Sequence, residues 1–194
     1  MCIRDRNILV LERFCFHANS YLENLIINDN LTTIHSEALR GCTNLKTISI
    51  GKGVSFISDT WVNACYHLEM IYVDLDNPFY KDQNGVLFDS SGESLLHFPA
   101  SNSQTFYVID HNVKKINYHA FDSCLQLQYV VIPTSVDVIE YQAFVDASFT
   151  IYFEGFQIPK NWHPYAIEHT FELILKPNWQ ELNPIPYKIV GGIE

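Results

Sequence analysis

"HAFDSCLQL", residues 119–127, sets a cysteine inside the phrase Ala-Phe-x-x-Cys-x-x-Leu. Read alone, Cys124 could be a metal ligand, a redox thiol or packing. Whether the phrase recurs decides between them. Lengthened to Ile-x-x-x-Val-x-x-Ile-x-x-x-Ala-Phe-x-x-Cys-x-x-Leu, it fits Ile109, Val113, Ile116, Ala120, Phe121, Cys124 and Leu127. A shift of 23 residues gives Ile132, Val136, Ile139, Ala143 and Phe144, with Ala147 in the cysteine slot. Upstream copies run Ile50, Val54, Ile57, Trp61, Val62, Cys65, Leu68, then Ile27, Leu31, Ile34, Ala38, Leu39, Cys42, Leu45. A first copy holds Ile8, Leu11, Cys15, Phe16, Asn19 and Leu22. The slot takes Cys, Asn or Ala. It selects small size, and Cys124 reads as a buried free thiol acting as a small hydrophobe.

Each copy ends in an alternating phrase such as Leu45-Lys46-Thr47-Ile48-Ser49-Ile50 or Leu127-Gln128-Tyr129-Val130-Val131-Ile132. Period-two alternation with β-branched residues predicts a short strand buried on one face. The Ala-Phe-x-x-Cys-x-x-Leu part spaces its apolar residues three apart, which predicts one or two helical or 3₁₀ turns. A 23-residue strand-plus-turn unit cannot bury its apolar stripe alone. Stacked units can, so the expected fold is a single right-handed solenoid of parallel strands about 4.8 Å apart.

The copies at 50–68 and 109–127 lie 59 residues apart, so one turn is an atypical 36 residues long. Asn84-Gly85 and Ser91-Gly92 are turn signals within it. Val86-Leu87-Phe88 and Leu95-Leu96-His97-Phe98 read as a hairpin joined by Asp89–Ser94 and closed by Pro99. The solenoid is expected over 7–176. Its last turn, 154–176, is atypical, with Phe171–Leu175 as a closing strand and Trp162 and Phe171 covering the apolar end. Residues 177–194, rich in Pro and Gly, read as a tail or linker. "MCIRDR" at 1–6 is similar to the translation of a sequencing-library adapter. The first copy would need an apolar residue at position 4 and has Arg4. The chain is therefore read as a fragment cut into a repeat.

The phrase Val-x-x-Ile-x-x-x-Ala-Phe-x-x-Cys-x-x-Leu resembles the BspA-type leucine-rich repeats, a bacterial and protist family. So do "NPFYKDQNGVLF … LLHFP" at 77–99, "IPTSV" at 132–136 and the "IYFEG … PKNW" ending at 151–162. Departures are Ala38-Leu39 and Trp61-Val62 in place of Ala-Phe, and Asn19 and Ala147 in place of Cys. The resemblance implies a leucine-rich-repeat solenoid of a secreted or cell-surface protein. It also implies a binding or adhesion role.

Composition narrows the function classes. Lys and Arg number 12 against 22 Asp and Glu, a net charge of −10. That weighs against nucleic acid and against anionic lipid, since both demand positive charge. No apolar run reaches the length of a membrane span. No cofactor motif is present. His163, Glu168 and His169 match no ligand spacing, and Pro78 breaks a calcium-loop reading of Asp74, Asp76, Asn77, Asp82 and Asn84. "DSSGES" lacks a nucleophile elbow, and "GKGV" is too short for a phosphate loop. The chain reads as non-enzymatic.

The strand faces carry more. If Ile48 and Ile50 point inward, one outward row is Asn24, Thr47, Met70, Phe106, Tyr129. The next is Ile26, Ser49, Tyr72, Val108, Val131, Tyr152. The candidate binding face is Met70, Tyr72, Phe106, Val108, Tyr129, Val131 and Tyr152, aimed at a protein or a surface glycan. Three readings stay open: a binding face of an extracellular module, aromatic packing along the strands of a structural spacer, or a patch covered by the hairpin.

Overall fold

The computed structural model describes residues 2–3, 8–166 and 172–176. The N-terminal strands are β1 (Cys2–Ile3), β2 (Val10–Leu11), β3 (Asn24–Ile27), β4 (Thr33–Ile34), β5 (Thr47–Ile50), β6 (Phe56–Ile57) and β7 (Met70–Val73). The long turn supplies β8 (Tyr80–Gln83), β9 (Val86–Asp89) and β10 (Ser94–His97). Then come β11 (Phe106–Val108), β12 (Lys115–Ile116), β13 (Tyr129–Ile132), β14 (Val138–Ile139), β15 (Thr150–Phe153) and β16 (Leu173–Leu175). Among the described residues the helical content is a single 3₁₀ turn, Pro164–Ala166.

The chain coils as a solenoid with two parallel strand ladders. The first runs β1-β3-β5-β7 and resumes as β11-β13-β15-β16. The second runs β2-β4-β6 and resumes through β10-β12-β14. Pairs such as Thr47↔Met70, Ile48↔Ile71, Ile116↔Ile139 and Tyr129↔Thr150 hold the repeat register from rung to rung. At the start, Ile3 pairs with Ile27, so the first rung is offset by one residue from position 4. The closing strand pairs in parallel with β15, and Trp162 bridges to Ile139 at the end of the second ladder. Trp162 is buried and donates its indole N–H to the Val136 carbonyl at 3.1 Å. Phe171 and residues 177–194 lie outside the described residues.

The Ala-Phe-x-x-Cys segment is not helical. It is a chain of tight turns with left-handed residues four apart: Phe14 and Ala18, Glu37 and Gly41, His119 and Ser123, Gln142 and Asp146. Each such residue breaks the αR run a helix needs. The backbone alternates its partners instead. Cys42 N–H bonds within the rung to Leu39, while Leu39 and Gly41 N–H bond to Trp61 and Asn63 of the next rung. The cysteine slot is built the same way. Cys42, Cys65 and Cys124 Sγ lie 3.1, 3.1 and 3.5 Å from the carbonyls of Phe16, Leu39 and Phe98 on the preceding rung. The three thiols are buried and unpaired, whereas Cys15, in the alanine slot, is exposed. Burial pushes the Cys124 thiol up, so it stays a weak donor.

The expected hairpin forms between β9 and β10, with Leu95 opposite Phe88. A third strand was not legible: β8 pairs antiparallel with β9 through the Asn84-Gly85 turn, both residues at positive φ. β9 runs between two halves of the core. Leu87 packs into the N-terminal cluster, Val86 and Phe88 into the C-terminal one. Three side chains buried on both sides of one strand explain its unbroken apolar run. Tyr80 finishes the edge: its hydroxyl accepts the Ile57 N–H at 3.0 Å, where a neighbouring rung would have supplied a carbonyl. Asn77 anchors the entry, donating to the Gly51 and Val54 carbonyls and accepting from the N–H groups of Phe79 and Tyr80. Asp74 and Asp82 likewise accept backbone N–H groups, of Asp76 and Val73. These oxygens hold turns.

The rung that follows β10 is short. Eleven positions separate Ile116 from Leu127, but only nine separate Leu95 from Gln104, their counterparts by pairing register. Its corner has no left-handed residue, where the preceding rung has Ala64 and the following one His119 and Ser123. The turn ladder therefore skips a step. Ala18 N–H bonds to Arg40 and Gly41 N–H to Asn63, but Ala64 N–H finds the Asp122 carboxylate, Oδ2 at 2.9 Å. Ser123 N–H then resumes on Val145. Ser123 Oγ also donates to Asp122, at 2.7 Å. Burial alone would raise the Asp122 carboxyl. The His119 ring 3.8 Å away, with hydrogen bonds from Ser123 and the Ala64 N–H, outweighs it and holds the group below the usual carboxylate range.

Candidate functional site

The outward side of the first ladder divides into an open part and a closed part. In the open part, Ile26 of β3, Ser49 of β5 and Tyr72 of β7 share one row, since Ile26 pairs with Ser49 and Ser49 with Tyr72. Ile26 is 50% exposed and Tyr72 46%. With Asn28, Asp29, Gly51 and Asp74 at the strand ends they line a shallow groove of about 410 Å³. The groove floor is tight. A Cβ at Gly51 would stand 2.7 Å from the Asn28 backbone, so this corner excludes side chains. Two carboxylates, Asp29 and Asp74, thus sit beside an isoleucine and a tyrosine. Lys52 lies 3.7 Å from Asp29 and partly offsets it.

The hairpin interrupts this face without covering it. The Ile71 N–H bonds to the Gly85 carbonyl, and the Asn84-Gly85 turn sits against Met70, with the Met70 sulfur 2.5 Å from where a Gly85 Cβ would stand. Met70 is therefore half-buried. Tyr72, one pleat further on, stays open. Beyond the interruption Phe106 is 46% exposed.

The closed part corrects the sequence reading. Tyr129 is 8% exposed and Val131 3%. They form a small buried cluster with Ile174, and Val108 and Tyr152 pack against it half-buried. Ring packing accounts for part of the Tyr129 burial. Strands about 4.8 Å apart bring outward side chains into contact. Tyr129 has the Phe106 ring stacked on one side, centroids 5.3 Å apart, and the Tyr152 ring edge-on at 5.8 Å on the other. Tyr72 has only Ser49 beside it in its row. Of the seven residues expected to form the face, Tyr72 and Phe106 are open, Met70, Val108 and Tyr152 are half-buried, and Tyr129 and Val131 are interior. Ile26 belongs to the open part, and its position in the Tyr72 row was the signal for it.

The sequence matches the BspA type leucine rich repeat region in six copies, over residues 5–84 and 96–164. The chain belongs to the BspA-type leucine-rich-repeat family. The stretch between the two matched blocks holds β9 and the start of β10, the hairpin that makes the long turn unlike the others. Solved structures share this solenoid fold. A leucine-rich repeat protein from Eubacterium ventriosum aligns over 78% of this chain and 48% of its own, at 18% identity and TM-score 0.54. A leucine rich cell surface protein from Faecalibacterium prausnitzii aligns over 76% and 44%, at 22% identity and TM-score 0.56. The pneumococcal vaccine antigen PcpA aligns over 80% and 55%, at 15% identity and TM-score 0.52. The chain thus spans about half the length of these structures. At such identities the likeness shows the fold. No curated protein matches the sequence.

Among the described residues no three His, Cys, Asp or Glu side chains group as a metal site. Nor is any helix there long and apolar enough to cross a membrane. Glu168 and His169, considered above with His163, lie outside the described residues.

Proposed function

We propose that this BspA-type repeat region is a non-enzymatic module that binds a protein partner through the open part of its strand face. The observation that carries the proposal is the groove at Ile26 and Tyr72: two exposed apolar side chains on a rigid ladder, rimmed by Asp29 and Asp74. Stiff aromatic anchors beside charge are the composition of interface hot spots. The groove suits a segment presenting an aliphatic side chain next to a lysine or arginine. Phe106, on the far side of the hairpin, extends the contact. A place at the cell surface belongs to the same proposal, by analogy with the surface leucine-rich-repeat protein that shares the fold.

The test begins with a wild-type screen against immobilised secreted and cell-surface proteins. Any partner is then measured against Tyr72→Ala and Phe106→Ala. Loss of one anchor is expected to weaken binding about 30-fold, the scale of a hot-spot truncation. A partner held equally well by the double variant, with an unchanged melting temperature, would remove the strand face from consideration.

The spacer reading rests on the closed part of the face, where Tyr129, Val131 and Ile174 bury their apolar surface within the chain. It predicts that no partner is retained by the wild type.

A further inference from the structure

The short rung leaves a second concavity, on the turn side of the stack. Because the rung between Asn63 and Tyr118 lacks a full corner, a cleft of about 370 Å³ opens across the gap. Small-molecule sites run from about 300 to 1,000 Å³, so this one is at the lower end. Its walls come from four rungs, and nearly every contributor is polar or aromatic.

The electrostatics are nearly balanced. Glu37 is held by Arg13 at 2.7 Å and Arg40 at 2.8 Å. Asp122 is occupied by the Ala64 N–H and the Ser123 hydroxyl. That leaves Asp146 exposed at the rim. A cleft whose charges are mostly answered internally has little to hold a free anion or cation. It is rich in groups that hydrogen-bond. Gln142 Oε1 accepts from the Tyr118 hydroxyl at 3.4 Å and lies 3.3 Å from His119 Nε2. The Asn63 amide nitrogen is 2.8 Å from His119 Nδ1, while its Oδ1 is buried without a partner. The exposed Tyr66 ring at the rim offers a flat apolar surface beside these groups.

Donors and acceptors crowded together, near-neutral charge and an aromatic wall are the chemistry that recognises a sugar. Each pyranose hydroxyl both gives and takes a hydrogen bond, and the C–H face of the ring lies on an aromatic ring. We propose that the cleft is a binding site for a neutral saccharide unit of a glycan, separate from the strand face. Tyr66 would carry the sugar ring, and Gln142 and Asp146 would meet its hydroxyls.

The experiment is protein-observed ¹H–¹⁵N NMR on the intact chain. It is titrated separately with the methyl glycosides of glucose, galactose, N-acetylglucosamine and rhamnose, and with ethylammonium chloride. At least one glycoside is expected to move the amides of Ala64, Tyr66, His119 and Gln142, saturating with a Kd of about 1 mM. The amides of Ile26, Ser49 and Tyr72 should stay still. Tyr66→Ala and Asp146→Asn change exposed side chains, and each should weaken that glycoside about tenfold while the spectrum elsewhere is kept. Three outcomes would overturn the proposal: no shift at the cleft with any of the four glycosides, shifts there with ethylammonium alone, or glycoside shifts centred on Tyr72. The strand-face proposal is judged by its own variants, so either can fail without the other.

Discussion

His97 makes the packing of the short rung measurable as a pH dependence. The ring sits at the end of β10, fully buried, 6.5 Å from the Trp61 ring. Burial lowers its pKa from 6.5 to about 4, with Asp122 opposing the change and His119 adding to it. In the unfolded chain the imidazole takes a proton as pH falls through 6.5, whereas the folded one waits until about 4. Between those values the unfolded state binds more protons, so stability rises with pH there and is lost as pH drops. From pH 6.5 to 5, before most carboxylates titrate, one proton at about 1.4 kcal/mol per pH unit amounts to about 2 kcal/mol. The assay is urea unfolding followed by tryptophan fluorescence at pH 7, 6 and 5, for the wild type and His97→Gln. The glutamine costs a fixed amount at every pH, so only the slope matters. The wild type should lose about 2 kcal/mol more than the variant across that range. Parallel pH dependences in the two proteins would refute the reasoning and place His97 in water.

Three further predictions concern the joints of the solenoid. Asp122→Ala should cost about 2 kcal/mol by orphaning the half-buried Ala64 N–H, read as a lower urea midpoint, while the same change at exposed Asp137 should cost little. Asn77→Ala removes the four hydrogen bonds that seat the long turn and should cost about 3 kcal/mol, with the amides of Phe79 and Tyr80 losing hydrogen-exchange protection first. Cys124→Ala should be mild, about 1 kcal/mol by thermal unfolding, because the slot already holds Ala147 one rung away.

The repeat and its register were open to reading because the apolar slots recur every 23 residues with few substitutions. The hairpin was visible because Gly92 separates two apolar runs and Pro99 closes the second. What escaped has physical causes. Tyr80-Lys81-Asp82-Gln83 has no alternation, because β8 pairs along the outside of β9 and is buried on neither face. The turns passed for helix because their left-handed positions are filled by residues such as Glu37, His119, Ser123 and Gln142, where glycine would have given them away. Asp122 carries no signal of its own between Phe121 and Cys124. Its task depends on the preceding rung being two residues short. The outward rows were assigned correctly by pleat, yet alternation says which way Tyr129 points and nothing about what packs on it.

The most direct measurement of which residues this chain offers to a partner is hydroxyl-radical footprinting of the intact protein, read by mass spectrometry at single aromatic residues. The account predicts rapid oxidation of Tyr72 and Phe106 and strong protection of Tyr129, although all three lie on the outward side of the same ladder. Equal oxidation of Tyr72 and Tyr129 would contradict the division of the face into open and closed parts. The binding proposal built on the groove at Ile26 and Tyr72 would fall with it.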